Sequence, residues 1–177
     1  ERFRIIAKTL LEAPSMLAMD RRDRTDFLRN FYRKYEGASI TQIDEDSLDM
    51  FNEFILTKSF PAAIRRVREH RSLGHRTILI TGALDFVVQP LRPLFDEILA
   101  PSLVKTGETY TGKMTQVPPI GETRAAVLRE YAESQSIDLA ESIAYADSTS
   151  DLPMLEAVGF PVAVNPETKL ATLARRR

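Results

Sequence analysis

The 177-residue chain has no cysteine, no tryptophan and only two histidines. Without cysteine it can form no disulfide, no thiolate nucleophile, no iron–sulfur cluster and none of the common cysteine-based zinc frameworks. His70 and His75 stand five positions apart, whereas a zinc helix needs two histidines on one face with a glutamate between them. No apolar run approaches the roughly 20 residues of a bilayer helix, and nothing resembles a signal peptide, so the reading is a cytoplasmic protein with no membrane span. An excess of charge is missing too, since 24 Lys+Arg face 25 Asp+Glu. Nucleic-acid binding usually leaves a basic balance, so no such partner is expected.

What is present suits a globular domain. Hydrophobic residues make up 44% and charged residues 28%, too apolar for a disordered chain. The length fits one domain, or one carrying a sizeable insertion. The chain opens on Glu1-Arg2-Phe3 without methionine and stops on Arg175-Arg176-Arg177, both within helical patterns. The expectation is a piece of something longer.

The pattern changes near residue 75. Before it, helical spacing covers 1–19 (kinked by Pro14), 23–36 (Phe27, Phe31 and Tyr35 on one stripe, Gly37 as the stop), 41–57 and 61–73, the last opened by Pro61 and closed before Gly74. Short connections between such helices predict a small antiparallel bundle. After residue 75, strand and helix alternate. Thr77-Ile78-Leu79-Ile80 reads as a strand buried on both faces. Two helical pieces follow, the second restarting at Pro90, and then a hairpin of strands 98–104 and 109–115 about the turn Lys105–Glu108. A helix over 121–135, a strand Ile143–Ala146, a short helix to Val158 and a strand from Pro161 to Val164 come next. Asn165 then caps a last helix opened by Pro166. The alternation predicts an α/β fold with a parallel sheet, whose ligands bind beyond the carboxyl ends of the strands.

Three groups of residues fall at those ends. Thr81-Gly82 follows the first strand, where a hydroxyl and free turn amides can hold a phosphate oxygen. Taken alone, helix capping by Thr81 explains the pair better. Asp147 and Asp151 straddle the turn after the strand Ile143–Ala146, four positions apart, and can converge on a hard cation such as Mg2+. Capping by Ser148, Ser150 or Asp151 is the competing reading, but it leaves Asp147 unexplained at the exit of a strand. Arg124 sits in the first turn of the helix opening at Gly121, against the helix dipole, so it either answers a nearby anion or snorkels to water. His70 and His75 receive no role, and Asp20-Arg21-Arg22-Asp23-Arg24 reads as a solvated turn.

In combination these residues resemble motifs two, three and four of the haloacid dehalogenase superfamily, in its phosphoserine-phosphatase-like branch, subclass IB. The resemblance spans about residues 60–174 and is strongest over Ala144–Leu155, which contains Asp147-Ser148-Thr149-Ser150-Asp151-Leu152-Pro153-Met154, and on through Val158-Gly159 to Val164-Asn165-Pro166. Gly74-His75-Arg76-Thr77, Ile80-Thr81-Gly82 and Tyr110-Thr111-Gly112 add to it. It implies a Rossmann-like core over 76–177 with a helical cap over 1–75. Thr81 and Gly82 would bind the phosphoryl group, Arg124 would stabilise its charge, Asp147 would ligate Mg2+ and Asp151 would support the metal. Arg124 stands where the family usually has lysine, and Ala146 where it usually has glycine. The family's nucleophile is the first Asp of an Asp-x-Asp strand preceding the cap. No such strand occurs here: either it lies upstream of Glu1, which is the expectation, or the domain has lost it.

The activity so implied is that of a Mg2+-dependent phosphatase, a phosphoric monoester hydrolase acting on a small phosphorylated metabolite through an aspartyl-phosphate. The alternative is a catalytically inactive regulatory or structural domain, covalently fused to a larger protein such as a reductase or acyltransferase. Arg124 favours the alternative, and retention of both Asp147 and Asp151 favours the enzyme.

Overall fold

A computed structural model describes residues 31–55 and 60–175. The helices expected over 1–19 and most of 23–36, and the charged turn at 20–24, lie outside the described residues. The chain divides into two compact units, one of residues 1–43 with 103–114, the other of residues 44–102 with 115–177.

In the first unit, residues 31–33 are helical and the chain turns at Gly37. The hairpin β3 (Leu103–Thr106) and β4 (Thr109–Met114) pairs antiparallel about Gly107-Glu108. The turn is therefore tighter than the four residues expected, because Gly107 takes φ +57° and Lys105 and Thr106 stay in the ladder. Gly37 N–H donates to Tyr110 O, Tyr110 N–H to Ala38 O, and Ile40 N–H to Glu108 O, so residues 37–40 run along β4. Tyr32, Leu103 and Tyr110 are the buried apolar residues here, beside Ile43.

Helix α1 (Ile40–Met50) crosses from the first unit into the second and ends in a wider π-type turn, Phe51–Ile55. Helix α2 (Pro61–Ser72) begins with proline in its first turn and stops at Leu73, whose N–H reaches Glu69 O and His70 O. None of the residues of α2 is buried, and Phe60 and Leu73 at its ends are well exposed.

Strand β1 (Ile78–Ile80) leads through α3 (Asp85–Val88) and a 3-10 segment (Gln89–Leu94) into β2 (Glu97–Leu99), which pairs with β1 in parallel, Ile78 opposite Glu97. The sequence pattern merged β2 with the following hairpin. Pro101 separates them: it cannot donate to a ladder, it is fully buried, and the antiparallel pairing starts only at Leu103. Asp96 locks the start of the β1–β2 ladder, accepting from Thr77 N–H at 2.7 Å and from Thr77 Oγ1 at 2.9 Å, while Asp96 N–H donates to Thr77 O.

Helix α4 (Glu122–Ser134) precedes β5 (Ile143–Ala146). A 3-10 turn (Thr149–Asp151) and α5 (Leu152–Leu155) then lead to β6 (Phe160–Ala163), parallel to β5 with Ile143 opposite Phe160. Helix α6 (Thr168–Ala174) closes the described chain. It starts later than the expected cap at Asn165, because Asn165 takes φ +43° and Pro166 precedes Glu167 at the N-cap position. Ala144, Met154, Leu155 and Leu170 form a buried cluster, with Leu128, Leu152, Val158 and Ala163 packed around it.

Both β-α-β units are parallel, as the alternation requires. The expectation of a first strand buried on both faces is corrected, since Ile78, Leu79 and Ile80 are half-buried. The reason is the ladder pattern: β1 pairs only with β2 and β5 only with β6 among the described residues, so each keeps one edge without a neighbouring strand. Ile143, Tyr145 and Phe160 are correspondingly exposed.

Candidate active site

The loops at the carboxyl ends of β1 and β5 and the turn opening α4 come together. A Cβ on Gly82 would lie 3.1 Å from Ile120 Cγ1, and one on Gly121 would lie 3.8 Å from Ser150 O. Gly121 adopts φ +57° and ψ −128°, which a side chain would strain. That turn aims the first residues of α4 at the Asp147–Asp151 loop.

Arg124 is the link. Its NH1 group is ion-paired with Asp151 Oδ1, and its Nε–H donates to Pro119 O at 3.0 Å. The side chains are 17% and 7% exposed, so the pair is largely withdrawn from water. A snorkelling Arg124 is thereby excluded: the anion that offsets its position against the helix dipole is Asp151. The capping reading of Asp151 falls as well. Asp151 occupies the N-cap position of α5 without making a cap bond, while Ser148 Oγ accepts from Ser150 N–H and caps the 3-10 turn.

Thr81 Oγ1 accepts the N–H of Ala83 at 3.1 Å, and Thr81 N–H donates to Leu99 O. The hydroxyl thus shapes the turn, whereas the N-cap position of α3 is held by Leu84 with no side-chain cap bond. An acceptor role leaves the hydroxyl proton free to donate elsewhere. Asp147 is exposed, and its carboxylate makes no hydrogen bond or ion pair among the described residues. Its backbone is held, however, with Asp147 O accepting from Glu167 N–H at 2.9 Å.

Arg124 and Asp151 therefore meet directly, Gly82 reaches the same region through Ile120 with Thr81 preceding it, and Asp147 stands four residues before Asp151 with an open carboxylate. No group of three or more Asp, Glu or His among the described residues is arranged to hold a metal ion. Mg2+ makes a smaller demand, because it binds through one or two carboxylates, waters and substrate phosphate. The open hard-oxygen donor of Asp147 fits that demand, and Asp151, turned to Arg124, fits a supporting place.

Some residues around the site escaped the sequence pattern. Glu167 donates its N–H to Asp147 and accepts from Thr149, yet nothing in its spacing marks it. Pro119 holds Arg124 through a carbonyl, which any residue carries. His70 Nδ1 lies 2.9 Å from His75 Nδ1, and His70 Nε2 lies 2.7 Å from Tyr145 Oη, which ties the end of α2 to β5. An open depression along α2, lined by Pro61, Ile64, Arg65, Arg68, Glu69 and Ser72, contains none of the site residues.

The parallel β-α-β units thus carry a hydroxyl and paired carboxylates at their carboxyl ends, with the Arg124 cation of α4 against one of the carboxylates. The chain belongs to the haloacid dehalogenase-like hydrolase family, whose model matches residues 2–156. It is 31% identical over 144 residues to the "inhibition of morphological differentiation protein" of Streptomyces azureus, covering 80% of this chain and 52% of that one. It is 26% identical over 190 residues to a histidinol-phosphatase of Neisseria meningitidis serogroup C (strain 8013), covering 98% and 85%. In structure it resembles a protein of unknown function from Bordetella pertussis Tohama I, with a TM-score of 0.87 and 21% identity over 97% of this chain and 80% of that one. The chain thus spans about half the length of the Streptomyces relative. Among the described residues no helix is long and apolar enough to cross a membrane.

Proposed function

We propose that the chain is the phosphate-handling part of a Mg2+-dependent phosphoric monoester hydrolase acting on a small phosphorylated metabolite. In this reading residues 1–75 serve as the cap and residues 76–177 as the core. The nucleophile is an aspartate on a strand upstream, adding to the sheet where β1 and β5 keep an edge without a partner among the described residues.

The observation that carries the reading is the withdrawn Arg124–Asp151 pair at the meeting point of the strand-end loops. A guanidinium fixed through Nε and one NH1 proton keeps further N–H groups for phosphoryl oxygens, pre-oriented before substrate arrives. Thr81 donates its free hydroxyl proton to another oxygen, and Gly82 lets the phosphoryl group approach the backbone. Bound Mg2+ would supply charge neutralisation at the phosphoryl oxygens, with Asp147 holding it and Asp151 supporting. Positioning and charge account for most of the rate in phosphoryl transfer. The name of the Neisseria relative, a histidinol-phosphatase, supports phosphate-ester chemistry.

One observation favours a second reading, a catalytically inactive domain fused to a larger protein: part of the Arg124 charge is already spent on Asp151. Release of inorganic phosphate from a panel of phosphorylated metabolites by the full-length protein, with and without Mg2+, separates the two. Mg2+-dependent release that Asp147→Asn abolishes without unfolding supports the hydrolase. No release from any panel member, with Mg2+ affinity unchanged by Asp147→Asn, transfers the assignment to the inactive domain.

A further inference from the structure

We infer that Glu167 is a positioning residue that clamps the Asp147–Asp151 loop in the conformation presenting the Asp147 carboxylate, and so acts on ligand binding through Asp147. The inference rests on the functional reading above and adds to it a residue outside the motifs.

The geometry starts where β6 ends. Val164 N–H donates to Ala146 O at 2.8 Å, so the chain leaving β6 is still tied to the last residue of β5. Asn165 then takes the left-handed φ of +43°, reversing the chain and bringing Glu167 back over the loop after β5. Glu167 N–H donates to Asp147 O at 2.9 Å. Its Oε1 accepts from Thr149 N–H at 2.6 Å and also from the Thr149 hydroxyl. The backbone around Asp147 is thus tied on the preceding residue, on its own carbonyl and two residues further on.

The carboxylate is used unusually. Glu167 occupies the N-cap position of α6, where a short polar side chain would normally bond the first amides of its own helix, yet it makes no such bond. It crosses instead to the loop after β5. Ser148 and Ser150, the other polar side chains in the loop interior, bond each other and, among the described residues, reach nothing outside it. The remaining side-chain anchor is Asp151 on Arg124. Asp147 lies at the end of the loop that Glu167 holds, two residues before Thr149, with an open carboxylate, and removing the Glu167 anchor frees that end of the loop.

The test uses the full-length protein and three readouts: Mg2+ affinity by calorimetry, kcat and KM on an active phosphate ester, and hydrogen exchange at the Thr149 amide. Glu167→Ala should weaken Mg2+ binding about tenfold, as loss of a supporting partner typically does. It should also raise Thr149 exchange by about tenfold or more, through local opening of the loop, and lower kcat more than it raises KM. Glu167→Gln keeps an oxygen that accepts both Thr149 bonds and should restore Mg2+ affinity to within about threefold of the parent. Parental Mg2+ affinity in Glu167→Ala overturns the inference. So does Glu167→Gln binding as weakly as Glu167→Ala while Thr149 stays protected, since that pattern belongs to a direct metal ligand. A parent protein that binds no Mg2+ overturns the functional reading and this inference together. Unchanged Thr149 exchange in Glu167→Ala with normal parental binding overturns the clamp alone.

Discussion

The Arg124 guanidinium closes on the Asp151 carboxylate, joining the first turn of α4 to the loop after β5. Each explains the other: the cation needs an anion against the helix dipole, and a carboxylate is costly to bury without a partner. Removing one partner should therefore cost more than removing both.

Arg124→Ala leaves Asp151 buried without a counter-charge and should destabilise the protein by about 3 kcal/mol, with Arg124→Ala/Asp151→Asn recovering a large part of that loss. Urea unfolding of the parent and both variants measures this. A double variant no more stable than Arg124→Ala would show that packing, and not charge, sets the cost. Arg124→Ala should also weaken fluoroberyllate binding by the full-length protein, and equal affinity would remove Arg124 from the phosphate site.

Acid should weaken the β1–β2 ladder through Asp96. The backbone N–H of Thr77, then its hydroxyl, holds the Asp96 carboxyl below its ordinary 3.8. A carboxyl depressed on folding contributes stability that is present above the unfolded value and lost as pH falls through the folded one. Denaturant midpoints should therefore drop as pH falls below about 4. In Asp96→Asn that drop should shrink, with a lower stability at pH 7. Parallel pH profiles for parent and variant would rule out this role for Asp96.

His70 should add a second pH dependence at higher pH. Burial, then the neighbouring His75 and Arg66, lowers its pKa from 6.5, with Glu69 opposing. The folded protein thus binds this proton less readily than the unfolded chain does. The His70 contribution is complete above about 6.5 and is lost as pH falls through the folded value. The melting temperature should decline between about pH 7 and pH 5, and His70→Gln should flatten that decline. An identical slope in the variant would assign the decline to other groups.

Gly159 has no room for a side chain. A Cβ there would overlap Ala140 O, and the Gly159 N–H already donates to Leu139 O at 2.8 Å. Because the clash is with backbone, Gly159→Ala should cost about 3 kcal/mol or more. Gly107→Ala, where φ is +57° but nothing lies within 4 Å, should cost only about 1 kcal/mol. Thermal melts of the two variants check the ranking, and a milder loss at Gly159 than at Gly107 would contradict it.

The sequence by itself determined the elements whose signals are local. Pro61 set the start of α2, the apolar runs placed β1 and β5, and Gly121 opened α4, because proline geometry, glycine freedom and apolar periodicity act within a few residues. The positions of Thr81, Arg124, Asp147 and Asp151 at strand ends and a helix start were legible for the same reason, each following a recognisable strand or opening a recognisable helix. Which of them touch was decided only by the tertiary structure. Asp151 was indistinguishable from a cap until Arg124, far away in sequence, was seen to meet it. Strand β2 was hidden inside an apparent hairpin until its parallel partner β1 appeared. Glu167 carries no local signal, because its partner Thr149 lies across a β-α-β crossover. Contacts of that kind follow from the path of the chain in space, and a one-dimensional pattern encodes only neighbours along it.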